Sequence, residues 1–387
     1  MGKRVCRANL EDLQEILELQ YLAYQSEAEL LGSRGRMNLK KVIPAICVLA
    51  LLFTGCAGIG KMGTKEFKTS FFAMDTYISL TIYGENGDGA LKDARRKVEE
   101  LEALWSATDE SSEIYALNNS KGEAVTVSDE TRDLLEFAFS MADETDGTLD
   151  PAIYPVLLAW GFTTEENRIP DENELQALLQ DVGYERIQIE GNEVTVPDGM
   201  KLDMGAVGKG YTGDVLTGIL KEAGITSALL DLGGNVQVIG TKPDGSKWRL
   251  GLRSPFGEES YLGVIEIADA AVVTSGSYER YFIGEDGKRY GHIIDPATGY
   301  PAESGLASVT VVAEEGKLCD ALSTALFVMG REEAETYWRE HGNFDMILIT
   351  EEKEVYITEG LEDAFSLGNG YEDMEVYVMT VTEDSGE

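Results

Sequence analysis

The sequence predicts an α+β fold with antiparallel sheet, and three observations point there. Apolar residues recur at helical steps of three and four in some segments and alternate in others, but helices and strands do not alternate regularly along the chain. The strand-like segments are short, and Gly, Asn or Asp turns join several of them. No fixed repeat and no Pro- or Ser-rich linker interrupts the chain beyond residue 56, so one domain with two lobes about a central cleft is expected. With 387 residues, 43% apolar, the chain can bury a large core.

In chain order, residues 1–36 place Leu13, Ile16, Leu17 and Leu19 at helical spacing. They resemble the opening of a GNAT-type acetyltransferase without the rest of that domain. Translation from Met37, with residues 1–36 an upstream artefact, is the simpler reading. Residues 37–56, MNLKKVIPAICVLALLFTGC, carry Lys40 and Lys41, an apolar run from Val42 to Phe53, and small residues before Cys56. As a helix that run spans about 18 Å at about 1.5 Å per residue, too short for a hydrocarbon core of about 30 Å. It reads as a cleaved signal peptide, and Cys56 with the residues before it resembles a lipobox whose cysteine takes lipid. A buried apolar helix with a core cysteine is the alternative.

A spacer, 57–66, leads to a strand in SFFAMDTYISLTIYG with Ile78, Leu80 and Ile82 alternating, and Met74 is placed in this first strand. Leu91, Ala94, Val98, Leu101 and Trp105 mark an amphipathic helix. Further helices are expected around Asp129–Asp143, Pro151–Trp160, Glu172–Gln180 and Gly213–Glu222. Strands are expected in RIQIE, VTV, LLDLGGNVQVIG, WRLGL, GVIEI, AVVTS, SVTVV and MILIT. From 368 the chain is an acidic tail in which EVYVMTV forms an extra edge strand or stays loose.

Asp and Glu number 70 against 32 Lys and Arg, a net charge of −38. Coulomb repulsion disfavours nucleic acid as a partner, and an anionic ligand needs a local cation. KLDMGAVGKGYTGDVL holds Gly208, Gly210 and Gly213 in GxGxxG spacing, with Asp231 beyond. No buried strand precedes the first glycine, which argues against a dinucleotide fingerprint. Asp203 stands where a phosphate-binding loop of the GxxxxGK[ST] type needs its first Gly. What remains is a glycine-rich turn entering a helix, with Lys209 at the start able to meet an anion, or simply solvated.

In CDALSTALF, Asp320 and Thr324 share one helix face, an oxygen pair suited to Mg2+, although helix capping would also explain them. His292, one of two histidines, sits in RYGHIIDPATGYP and can be a proton acceptor or a partner of the turn. His341 falls near a helix end. Thr148, Leu149 and Asp150 precede Pro151, where Asp150 is expected to cap a helix. Met74 offers a soft apolar side chain that can cover a planar ring.

Taken in order, AMDT, GTLDP, KLDMGAVGKGY, LLDLGGN, VVTSGSYER, HIIDPATGYP and CDALSTALF resemble the ApbE family of FAD:protein FMN transferases, from about Phe67 to Leu367. The resemblance implies a tunnelling-fold-like α+β arrangement with FAD in a cleft and Mg2+ beside it. It implies FAD cleavage, AMP release, and FMN joined to a Thr or Ser of a partner protein, such as a flavin-accepting membrane redox subunit or an exported flavoprotein. Carried over by position, the metal ligands are the Ala206 carbonyl and the side chains of Asp320 and Thr324. FAD contacts are Met74, Thr148, Leu149, Asp150, Asp203, Lys209 and Ile294, and the proton acceptor is His292. Where family members often carry an aromatic before an Asp, this chain has Thr108, and Trp105 or Tyr115 is expected to cover the flavin instead. An FAD pyrophosphatase and a lipid-anchored solute-binding protein are the competing classes.

Overall fold

A computed structural model describes residues 65–164, 166–257 and 260–381. Residues 1–36, the apolar stretch 37–56 with Cys56, and most of the spacer lie outside the described residues. The described residues up to Met74 and from Ile78 onward belong to one compact unit. Among the described residues, no helix is long and apolar enough to cross a membrane.

The centre is a nine-stranded sheet whose spatial order follows the chain. Its strands are β1 (Glu66–Ala73), β2 (Thr76–Tyr83), β3 (Ser227–Leu232), β4 (Asn235–Ile239), β5 (Ala270–Gly276), β6 (Leu306–Ala313), β7 (Asp345–Thr350), β8 (Val355–Thr358) and β9 (Val376–Met379). From β2 to β8 neighbours run antiparallel, with Ile78 opposite Leu232 and Val273 opposite Val311. β9, from the EVYVMTV segment, closes the edge in parallel with β8.

Period-two alternation decides what each strand buries. Ile78, Leu80 and Ile82 face α1 (Gly87–Trp105), which returns Ala90, Leu91, Ala94 and Val98. In β5 and β6, Ala271, Val273, Val309 and Val311 point to the helical side, while Val272 and Val312 meet Trp248, Leu262 and Ile265 of a smaller antiparallel sheet. Both faces are therefore covered, and every residue of β6 is buried. This two-sided covering explains why the polar residues of SVTVV, Ser308 and Thr310, are as buried as Val309 and Val311 beside them, with Thr310 bonded to Thr274 Oγ1 at 2.8 Å.

Two helices lie on the site side of this sheet, α2 (Gly208–Glu222) and α3 (Gly316–Met329). They approach closely because glycines face each other. A Cβ on Gly210 would stand 2.2 Å from the Gly316 carbonyl oxygen, and one on Gly316 would stand 1.5 Å from Gln237 Nε2. The GxGxxG spacing thus serves helix packing: Gly210 meets α3, and Gly213 meets Gln237.

Three expectations need correction. α2 starts at Gly208, five residues before the expected Gly213, so Lys209 lies in its first turn. The helix after Asp150 is Tyr154–Trp160, and Ile153 rather than Asp150 occupies its cap position. Met74 follows β1 in a turn with φ 52°, a left-handed conformation costly for a non-glycine residue.

Candidate active site

The N-terminus of α2 is the natural starting point, because a first helical turn leaves N–H groups without helical partners. Asp320 reaches across from α3, and its Oδ2 accepts the Gly210 N–H at 2.8 Å. The side chain is buried, at 5% exposure, which pushes its carboxyl above the ordinary aspartate range. The Lys209 charge, the Gly210 N–H and the neighbouring Asn235 pull against that rise. The capping role weighed from sequence is therefore present, supplied to a different helix.

That bond has a consequence one turn back. In a regular helix Gly210 would donate to the carbonyl of Ala206, four residues earlier. Gly210 donates to Asp320 instead, and among the described residues Ala206 accepts no backbone hydrogen bond. A bare carbonyl and a carboxylate thus converge at one helix start.

Thr324 follows Asp320 by one turn on the same face. Its Oγ1 is half-buried, and its contacts, to the Asp320 carbonyl and to Ser275 Oγ, are both at 3.5 Å. The adjacent Ser323 is held at 3.0 and 2.9 Å by the same two residues. The Thr324 hydroxyl is therefore weakly engaged and Ser323 is committed. Lys209 is half-buried, with Nζ 3.4 Å from the Gly205 carbonyl.

His292 follows a hairpin of Tyr281–Ile283 and Arg289–Gly291. Its backbone N–H and its Nδ1 both meet the Arg280 carbonyl, at 3.0 and 3.2 Å. A carbonyl only accepts, so Nδ1 carries the proton and Nε2 keeps a lone pair. Burial pushes the imidazole pKa down to about 4, the charges of Arg280 and Lys209 push the same way, and the Arg280 carbonyl opposes them. Although part of its surface reaches solvent, the ring is neutral at pH 7.

The remaining predicted contacts are placed with their side chains largely spent. Asp150 is buried, with Oδ1 accepting from Ala152 N–H at 2.7 Å and Oδ2 from Tyr184 N–H at 3.3 Å. Burial raises its carboxyl pKa, and those two N–H groups counter the rise. Leu149 is a core residue, and Thr148 donates its hydroxyl to the Thr145 carbonyl. Asp203 donates its N–H to the Pro151 carbonyl at 2.8 Å, tying KLDMG to GTLDP, and its Oδ1 accepts from Gly205. The Ile294 side chain joins Val156, Trp160 and Tyr290 in an apolar cluster. Met74 Sδ accepts from Thr212 of α2 at 3.5 Å, which brings it to this region. Trp105 donates to Thr131 Oγ1 and packs edge-on against Tyr211, which places it in the core. His341 stacks on Tyr337, and its Nδ1 meets the Tyr337 carbonyl at 2.8 Å.

Sequence reasoning missed Asn235, Asp214 and Gln237. Asn235 is 1% exposed and lies against Asp320, yet neither amide atom has a hydrogen-bond partner of normal geometry among the described residues. The signal was available in NVQVI, where polar residues two apart must share a face of an apolar strand.

Among the described residues no cluster of three or more His, Cys, Asp or Glu stands ready for a metal. One carboxylate, a weakly engaged hydroxyl and a bare carbonyl fit a hard cation that draws its other oxygens from phosphate and water. The unpartnered Asn235 amide beside them is consistent with a group that completes the site.

The family model described as the ApbE family matches residues 74–348. The chain is 31% identical over 340 residues to the FAD:protein FMN transferase of Treponema pallidum, covering 82% of this chain and 93% of that protein. It is 31% identical over 314 residues to one from Klebsiella pneumoniae, covering 80% and 97%. Its fold is similar to the crystal structure of an ApbE protein from Thermotoga maritima, with TM-score 0.73, 32% identity, and coverage of 78% and 99%. A similar match is the flavin transferase ApbE from Vibrio cholerae, with TM-score 0.71, 27% identity, and coverage of 78% and 99%.

Proposed function

The chain belongs to the ApbE family, and from that membership we propose that it transfers FMN from FAD to a Thr or Ser hydroxyl of an acceptor protein, releasing AMP. The observation that carries this reading is the meeting of Asp320, the bare Ala206 carbonyl and Lys209 at the start of α2. In a chain of net charge −38, that is where an anionic diphosphate finds its counter-charge.

A Mg2+-type cation held by the Ala206 carbonyl, Asp320 and Thr324 would supply neutralisation of the diphosphate. Lys209 adds a full positive charge beside Asp320, and the first turn of α2 adds its partial charge. His292 Nε2 takes the proton of the acceptor hydroxyl as its oxygen bonds to the FMN phosphorus. The anhydride bond from that phosphorus breaks, and its electron pair leaves with AMP. A neutral His292 can accept a proton at pH 7, whereas an imidazolium cannot.

The test uses the chain from residue 57, FAD, Mg2+ and an exported flavoprotein or membrane redox subunit as acceptor, read by intact mass. The expected result is an acceptor heavier by one FMN, abolished by EDTA and restored by Mg2+, with Asp320→Ala inactive. FMN appearing only in solution would make the chain an FAD pyrophosphatase. FAD binding without turnover would make it a carrier.

We further propose export and a lipid anchor on Cys56, supported by the run from Lys40 to Cys56. Cys56→Ala is expected to release the protein from membranes or leave an unprocessed precursor. Unchanged processing and attachment would overturn this.

A further inference from the structure

β4 opens directly after a two-glycine turn. Gly233 and Gly234 have φ of 69° and 91°, values open to glycine, and Asp231 Oδ1 accepts the Gly234 N–H at 2.9 Å. This tight turn fixes where the strand begins and therefore which residues face α2 and α3. With period two, Asn235 and Gln237 share that face.

The two carboxamides meet opposite conditions. Gln237 Nε2 donates to the Gly210 carbonyl at 3.2 Å and to Asp214 Oδ1 at 3.1 Å, and its Oε1 accepts from Thr217 Oγ1 at 3.0 Å. Asn235 is equally buried, yet among the described residues its amide makes no hydrogen bond of normal geometry and has only a loose contact with the Asp320 carboxylate. A buried amide without partners costs stability, and an apolar side chain of similar volume would avoid that cost. Folding alone therefore gives little reason for Asn at this position. Its neighbour gives one, because Asn235 lies against Asp320, beside the Lys209 charge.

We propose that Asn235 is a ligand-contacting residue of this site, its Nδ2–H donating to a phosphate oxygen of the FAD diphosphate and its Oδ1 accepting from a water of the cation's shell. The inference rests on the FMN-transfer reading above. A carboxamide suits this place because it offers a donor to the anion and an acceptor to the hydrated cation without adding charge next to Asp320.

The test compares wild type, Asn235→Leu, Gln237→Leu and Asp320→Ala. Each is melted without ligand and titrated calorimetrically with FAD, with Mg2+ and then with EDTA. Leu keeps the branching of Asn but is bulkier, so relief of the poorly partnered amide and overpacking are expected to offset, and Asn235→Leu should melt within a few degrees of wild type and above Gln237→Leu. Its FAD affinity in Mg2+ is expected to fall by about 10- to 100-fold, the range for a hydrogen bond to a charged group. Gln237→Leu is expected to melt lower because it strips three bonds. An Asn235→Leu protein that binds FAD within about twofold of wild type overturns the proposal. So does one that melts as low as Gln237→Leu and loses FAD affinity with it, since Asn235 would then be structural. If wild type binds FAD in Mg2+ and Asp320→Ala does not, an unchanged Asn235→Leu sinks only the Asn235 proposal. If wild type does not bind FAD, the transfer reading fails and takes this inference with it.

Discussion

Two polar regions lie a few residues apart between the main sheet and its helices, and they differ in how far their hydrogen bonds are satisfied. In the first, Asp214 of α2 accepts from the Gly316 and Lys317 N–H groups at 2.6 and 2.9 Å, capping α3, and Gln237 bonds Asp214, Gly210 and Thr217. In the second, Ala206 offers a carbonyl without its helical donor, Thr324 a hydroxyl at 3.5 Å from its partners, and Asn235 an amide with no hydrogen bond of normal geometry among the described residues. Burial is similar in both, so burial does not distinguish a structural polar residue from a functional one. Completeness of hydrogen bonding is what differs. The satisfied region holds α2 against α3, and the unsatisfied region at their shared end keeps capacity for a ligand.

The comparison breaks most visibly at His292. His292→Ala is expected to lower turnover by about two to four powers of ten while leaving FAD affinity nearly unchanged. The pH profile sharpens the assignment. Because burial and neighbouring positive charge hold the folded pKa down at about 4, the neutral ring persists as pH falls through the ordinary histidine range. Below that value it charges, so the acid limb of kcat/KM for the free enzyme is expected near pH 4. An acid limb that persists unchanged in His292→Ala would mean that His292 is not the proton acceptor.

The satisfied region answers to a different measurement. Asp214→Ala leaves the Gly316 and Lys317 N–H groups and one Gln237 donor without their acceptor in a buried place. A loss of about 2 to 4 kcal/mol in unfolding free energy is expected, read by urea denaturation. Where enough protein remains folded, Mg2+ dependence should be close to wild type. A variant of full stability but altered Mg2+ requirement would erase the distinction between the two regions.

Much of the sheet was legible because alternation is a local signal: Ile78, Leu80 and Ile82 read as one buried face and form one. Asp320 and Thr324 were legible as a pair because one turn of helix puts them together. The turn at Asp150 was not. An Asp before Pro reads as a helix cap, but here its oxygens accept from Ala152 and from the distant Tyr184. Distinguishing the two requires knowing where 184 lies. Trp105 fits a helix face, and its Thr131 partner, which ties it into the core, lies 26 residues away and is not visible in local spacing. The glycines of α2 look like a phosphate loop in sequence, whereas the tight approach of Gly316 and Gln237 explains Gly210 and Gly213. Asn235 was the hardest to see, because what marks it is a missing bond.

The smallest expected effect lies between two neighbouring hydroxyls, and it is the finest test of the contrast. Ser323 Oγ donates to the Asp320 carbonyl at 3.0 Å and meets Ser275 Oγ at 2.9 Å, with the side chain fully buried. Ser323→Ala should therefore cost about 1 kcal/mol of stability, a typical net hydrogen bond. The Mg2+ requirement of that variant should not move. Thr324 Oγ1 has the same two neighbours at 3.5 Å, too long to contribute much to folding. Thr324→Val keeps the shape and removes the oxygen, so its melting temperature should match wild type. The Mg2+ concentration for half-maximal FMN transfer should rise by about tenfold, because a water can replace a neutral ligand at modest cost. If Thr324→Val is destabilised like Ser323→Ala and keeps the wild-type Mg2+ requirement, both hydroxyls are structural. The cation site would then rest on Asp320 and the Ala206 carbonyl alone.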